Sequence, residues 1–135
     1  GLTNIRFVVK DLTDWDEPEV FDWITAFDAI HDQARPDNVL SAIRKALRPE
    51  GQFLMQDIDA SSEPVDNIEH PMGTTLYTIS CMHCMTVSLA QGGMGLGAVW
   101  GVQKAEKMLR EAGFENVEIN RFEHDIQNAY FVMKV

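Results

Sequence analysis

The chain has 135 residues, 45 % of them apolar, with 21 acidic against 11 basic side chains and a formal net charge of −10 at pH 7. That length fits one domain with a real core, and the acidic field excludes direct binding to nucleic acid or to an anionic membrane surface. No apolar run approaches the roughly 18 residues of a membrane-spanning helix, and two cysteines make no disulfide framework, so a reducing, cytoplasmic setting is the expectation.

In chain order, "NIRFVVKDL" (4–12) is rich in β-branched and aromatic residues and predicts a strand. An acidic loop, "TDWDEPEV", leads to a second strand that opens "FDWITAFDAIHD" and runs to about Phe27. "RPDNVLSAIRKALRPEG" predicts a helix: Asp37 or Asn38 caps it, Val39, Leu40, Ile43 and Leu47 share a face, and Pro49 and Gly51 stop it. "QFLMQDI" (52–58) predicts a strand suited to burial on both sheet faces. Residues 59–74 are polar, carry prolines, and predict a loop. "TTLYTISCMHCMTVSLAQ" (74–91) has the composition of a helix, and "GVQKAEKMLREAGF" predicts an amphipathic one through Val102, Ala105, Leu109 and Ala112, ended by Gly113. "NVEINRF" and "NAYFVMKV" close the chain as two strands with no helix between them, so they pair antiparallel. Strands alternating with helices place the chain among α/β sheet proteins.

Between the last two helices lies "SLAQGGMGLGAVWG" (88–101), in which Gly93 to Gly97 reads G-x-G-x-G. A phosphate or dinucleotide cradle needs such glycines to leave a strand, open a helix, and be followed by a strand-end acidic residue about twenty positions on. Here a helix precedes them, and Glu118 falls inside its strand. Only the helix that follows, near 101–112, meets the requirement, so the cradle is the weaker reading beside a mobile turn, a lid, or a plain irregular loop. Cys81-Met82-His83-Cys84 has no second ligand pair, so no metal site is expected.

Residues 21–57 carry the strongest pattern. Phe21-Asp22, Ile30-His31, Leu47-Arg48-Pro49-Glu50-Gly51 and Phe53-Leu54, followed by "REAGFENVEI", stand in an order and spacing that resembles the second half of a class I S-adenosylmethionine-dependent methyltransferase. "HCMTVSLAQGGMGLGAVWG" is similar to a branch that joins this domain to an N-terminal winged-helix region. The resemblance implies an incomplete Rossmann-like sheet, the third to seventh strands of the order 3-2-1-4-5-7-6, with the last two antiparallel and helices on the faces. It makes 1–135 one C-terminal part of a methyltransferase domain, with 59–100 a loop, helix and glycine-rich lid-like insertion. The family's own glycine-rich motif and ribose-binding acid would precede Gly1. The chain therefore reads as a piece of something longer, inactive by itself, with an edge open to pairing in a homodimer.

The resemblance also implies roles. Asp11 would accept from the adenine amino group, with Leu12 on the ring, although a strand-end Asp also caps turns. Ala26 and Phe27 would lie beside the methionine part of the cofactor, and Phe27 equally suits core packing. His31 with Asp32 would take the proton of a small-molecule acceptor, since imidazole titrates near neutrality. Related O-methyltransferases often place Trp after that Asp, whereas this chain has Gln33, and a structural turn histidine is the alternative. Asp57 ends its strand on the acceptor side and reads as a solvated carboxylate. The expected function is methyl transfer from S-adenosylmethionine to a small molecule; the alternative is a non-catalytic binding or dimerisation module.

Overall fold

The computed structural model describes residues 1–135. Four strands form one sheet in the order β1-β2-β4-β3, where β1 is Phe21–Phe27, β2 Leu47–Ile58, β3 Asn116–Phe122 and β4 Asp125–Lys134. β1 and β2 are parallel, joined by helix α1 (Pro36–Ala46), and β4 runs antiparallel to both of its neighbours. This is the mixed α/β arrangement of the fourth, fifth, seventh and sixth strands of the family order.

The predicted strand at 4–12 is a correction. It joins no ladder and leaves Ile5, Phe7, Val8 and Val9 exposed. A strand is held by a neighbour's N–H and C=O groups, and the family order sets two further strands between this segment and β1. The chain returns to the body at Leu12 and Trp15, which pack against the core, and the Trp15 and Phe21 rings meet at 5.8 Å.

Helix α1 follows its predicted face, with Val39, Leu40, Ile43 and Leu47 buried. Its start differs: Arg35 is the N-cap residue, Pro36 takes the first helical position, and Asp37 instead pairs with the Arg35 guanidinium at 2.6 Å. Proline's fixed φ and missing N–H suit that first turn. The helix ends at Ala46, before Pro49, because Leu47 already pairs with Phe21; Arg48–Gly51 then bulges out before Gln52 pairs with Trp23.

β2 alternates cleanly. Phe53, Met55 and Asp57 share a fully buried face, continued on β4 by Met133, Phe131 and Ala129, their register partners. Leu54 and Gln56, on the opposite face, are only half-buried, and that face is fully buried only at Ile58, so burial on both faces is reached at the carboxyl end of the strand alone. Helices α1 and α4 (Val102–Glu111) pack together and cover the first face through Leu40, Ile43, Ala105 and Leu109.

The predicted long helix is present as α2 (Gly73–Ile79) and α3 (Met85–Ala90), continuous through a π-helical turn at Ser80–Cys84. The wider π turn separates the two cysteines, which an α-helix would set on one face: Cys81 is exposed and Cys84 buried.

The glycine-rich segment lies against its neighbours. Gly101 has φ +83°, and a Cβ there would fall 2.1 Å from the Ser62 amide nitrogen. At Gly97, φ +71°, a Cβ would fall 2.2 Å from Ser80 Oγ. Close approach accounts for glycine at both positions.

Candidate functional site

The carboxyl ends of the parallel strands β1 and β2 lie side by side, with Phe27 in register with Gln56. Ligands in open α/β sheets bind at that end. Past β1 the chain turns sharply: Asp28 takes φ +50° while its amide donates to the Gln56 carbonyl at 2.9 Å. Gln33 closes the turn, its side chain donating to the Ala29 carbonyl at 2.9 Å. The turn drives His31 inward, to 2 % exposure.

There His31 meets Asp57. Nδ1 lies 2.8 Å from Asp57 Oδ1, and Asp57 is 0 % exposed. The solvated strand-end carboxylate expected at this position is therefore a correction. The signal was in the strand period: Asp57 follows Phe53 and Met55 at steps of two, so it shares their buried face. A carboxylate only accepts, so Nδ1 carries a hydrogen toward Asp57. The same Oδ1 also accepts from the Ile58 amide at 2.8 Å and from Trp100 Nε1 at 3.1 Å.

Asp32 stands on the other side of the ring, its Oδ1 3.3 Å from Nε2, and Asp28 is 3.9 Å from Nδ1. Burial alone would lower the proton affinity of His31. The hydrogen bond to Asp57 and the charges of Asp57, Asp32 and Asp28 outweigh it and hold the imidazole above its ordinary value of 6.5. Asp28 is raised as well, by burial first, against the opposing pull of His31. Burial and the neighbouring Asp32 push the Cys84 thiol up to about 11.

Two triplets of ligand-type atoms, His31/Asp32/Cys84 and Asp28/His31/Asp57, each fit within 4.8 Å. Both run through His31, whose nitrogens face Asp57 and Asp32, and a thiol held protonated is a poor metal ligand. Their closeness is that of one polar network around the buried His31.

The structure thus brings His31 and Asp32 together and adds Asp57 and Trp100, which sequence reasoning did not join to them. Ala26 is half-buried against the core, and Phe27, at the end of β1, is 57 % exposed. Asp11 and Leu12 stand on the unpaired N-terminal segment. Asp11 accepts from the Thr13 amide at 2.9 Å, a bond that lowers its carboxyl below the usual range.

A sheet of this order, with helices on its face and a polar constellation at the carboxyl end of its parallel pair, defines a partial Rossmann-like α/β domain. The chain belongs to the methyltransferase domain family, whose model matches residues 1–113. Its fold is similar to that of a candidate O-methyltransferase from Nostoc punctiforme PCC 73102 (20 % identity over 95 % of this chain and 36 % of that one, TM-score 0.67). It is likewise similar to CalH, described as a trans-methyltransferase in complex with SAH (18 % identity, 99 % and 37 % covered, TM-score 0.68). An O-methyltransferase family protein from Burkholderia thailandensis matches at 15 % identity, with 96 % and 35 % covered and a TM-score of 0.67. The chain spans little more than a third of the length of these structures. No curated protein matches it in sequence.

Proposed function

We propose that this chain forms the acceptor side, and part of the cofactor site, of an S-adenosylmethionine-dependent methyltransferase acting on a small molecule. The observation that carries the reading is the buried His31–Asp57 pair at the carboxyl end of the parallel strands. S-adenosylmethionine supplies a methyl group on a positively charged sulfur. The residues at hand suit such a group: three carboxylates, Asp28, Asp32 and Asp57, gather around His31, and the exposed Phe27 ring offers an apolar wall. Ala26 and Phe27 would hold its methionine part, and Asp11 and Leu12 its adenine. The sites on this chain are half a set, so cofactor binding by the 135 residues alone is weak.

His31 takes the proton of the acceptor hydroxyl at Nε2. Asp57 fixes the hydrogen on Nδ1, so that Nε2, which faces Asp32 at 3.3 Å, is the nitrogen that gains the proton, and Asp57 stabilises the imidazolium once it forms. Asp32, with 39 % of its side chain exposed beside Nε2, lines the path by which the proton arrives. Because the imidazole is raised, turnover climbs with pH through a limb above 6.5.

Calorimetric titration of S-adenosylhomocysteine into this chain and into one extended at its N-terminus tests the split site. Binding by the extended chain alone supports it; tight binding by the 135 residues overturns it. In the extended chain, His31→Ala lowers turnover by about 100-fold or more, and unchanged turnover rejects His31 as the base. The exposed outer edge of β1 favours one second reading, pairing with another copy of the chain through that edge, which sedimentation at several concentrations would detect.

A further inference from the structure

The carboxylate of Asp57 serves two buried side chains through one oxygen. Its Oδ1 accepts from His31 Nδ1 at 2.8 Å and from Trp100 Nε1 at 3.1 Å. Trp100 comes from the far end of the glycine-rich segment and is 3 % exposed. Its own backbone is clasped: Ser62 Oγ donates to the Trp100 carbonyl at 2.9 Å, and the Val102 amide donates to the Ala60 carbonyl at 2.8 Å. Ser62 Oγ also accepts from the Lys104 amide at 3.0 Å, in the first turn of α4. The close seat of Gly101 on Ser62 completes this brace. The indole N–H is thus delivered to one oxygen by a backbone with little freedom to take it elsewhere.

The indole and the imidazole, with the Ile58 amide as a third donor, compete for the electron density of one carboxylate oxygen. We propose that Trp100 is a positioning residue for methyl transfer: by sharing Asp57 Oδ1 with His31, its indole N–H fixes the carboxylate and tempers its hold on the imidazole, so that the glycine-rich segment sets the proton affinity of the base. The inference rests on the reading of His31 as that base. The other groups facing His31 are Asp28 and Asp32 from the turn after β1 and the Cys84 thiol from the π turn. None of them touches the indole nitrogen, so a change confined to that nitrogen acts through Asp57.

The test is NMR titration of the ¹⁵N-labelled 135-residue chain, following the His31 ring and the three indole N–H signals. The Trp100 indole signal shifts with the same midpoint as His31, while those of Trp15 and Trp23 do not. In Trp100→Phe, which keeps an aromatic ring in the slot, the His31 midpoint rises by about 0.5–1 unit, because the carboxylate then serves the imidazolium more fully. A Trp100 indole signal that is flat across the His31 titration overturns the proposal, as does an unmoved His31 midpoint in folded Trp100→Phe. Should that variant not fold, the wild-type indole titration decides alone. In the extended chain, Trp100→Phe moves the pH limb of kcat upward by the same amount and leaves KM unchanged. Turnover that survives His31→Ala overturns the base reading and with it the role in catalysis. A flat indole signal beside a His31→Ala loss removes the positioning role only.

Discussion

Two stretches of this chain have the composition of a strand and opposite fates. "QFLMQDI" lies between β1 and β4 and buries Phe53, Met55 and even the charged Asp57. "NIRFVVKDL" is as rich in β-branched and aromatic residues, yet it joins no ladder and leaves Phe7 94 % exposed. The contrast teaches that a strand is a property of the pairing. β-propensity measures fit to a pleated, half-buried surface, and without a neighbour there is no such surface to fit. It also explains why a carboxylate is buried where a phenylalanine is not: Asp57 is placed by its register and held by three donors on Oδ1, although its Oδ2 is buried without a partner, whereas Phe7 has nothing beside it.

The sharpest way to break the comparison is to remove a partner from the buried end. His31→Ala leaves Asp57 inside the protein without the imidazole that donates to it, its counter-charge whenever the ring is protonated. Breaking a buried pair from one side costs about 3–5 kcal/mol, and urea unfolding of the 135-residue chain should show a loss of that size. A loss under about 1 kcal/mol would mean that Asp57 is not sealed from water.

Next in size is Gly101→Ala. The residue sits at φ +83° and ψ +153°, backbone essentially restricted to glycine, and the new methyl meets the Ser62 backbone. Strain of this kind costs about 1–3 kcal/mol, and the clash adds to it. A thermal midpoint unchanged from wild type would show that the 59–62 loop moves aside freely and that the brace around Trp100 is loose.

A smaller effect separates the two ends by pH. The folded-state pKa of His31 is raised above 6.5, so the native state binds its proton more tightly than the unfolded chain does. The stabilisation is therefore fully present below about pH 6.5 and is lost as pH rises through the folded value. Urea midpoints of the wild type should fall across that window, and those of His31→Asn should not follow. A fall of equal slope in both proteins would place its origin elsewhere.

Most elements were legible in the sequence because their signals are local. The apolar face of α1, the α4 helix with its Gly113 stop, and the antiparallel closing strands all follow from periodicity and punctuation. The ladder of 4–12 was not legible, since pairing is decided by what lies alongside. The site divided the same way. His31-Asp32 stands out as a sequence pair after a strand, but the partner that takes the Nδ1 hydrogen, Asp57, is 26 positions away. Alternation through Phe53 and Met55 announces its burial, yet not that His31 would meet it. Trp100 left no signal at all, because the long loop and the glycine segment must fold against each other before its indole reaches the carboxylate. The glycines suggested looseness; in the structure, at Gly97 and Gly101, they are there for closeness.

The smallest effect belongs to the exposed end and completes the contrast. Phe7→Ser with Val9→Ser removes large apolar groups that touch little, so the unfolding free energy should change by no more than about 0.5 kcal/mol. The same pair of changes should reduce self-association seen by sedimentation, because Ile5, Phe7, Val8 and Val9 are an exposed apolar strip of unpaired chain, and Trp23 is exposed on the free edge of β1. Trp23→Lys sharpens the test, since a charge on an edge strand obstructs pairing with a second chain. If the double variant loses about 2 kcal/mol or more, a loss of the size that goes with burying an apolar side chain, the segment packs onto the body in solution and the two stretches differ less than their exposure indicates. If stability holds and association falls, the strip is a surface awaiting a neighbour, and burial in this protein follows pairing rather than composition.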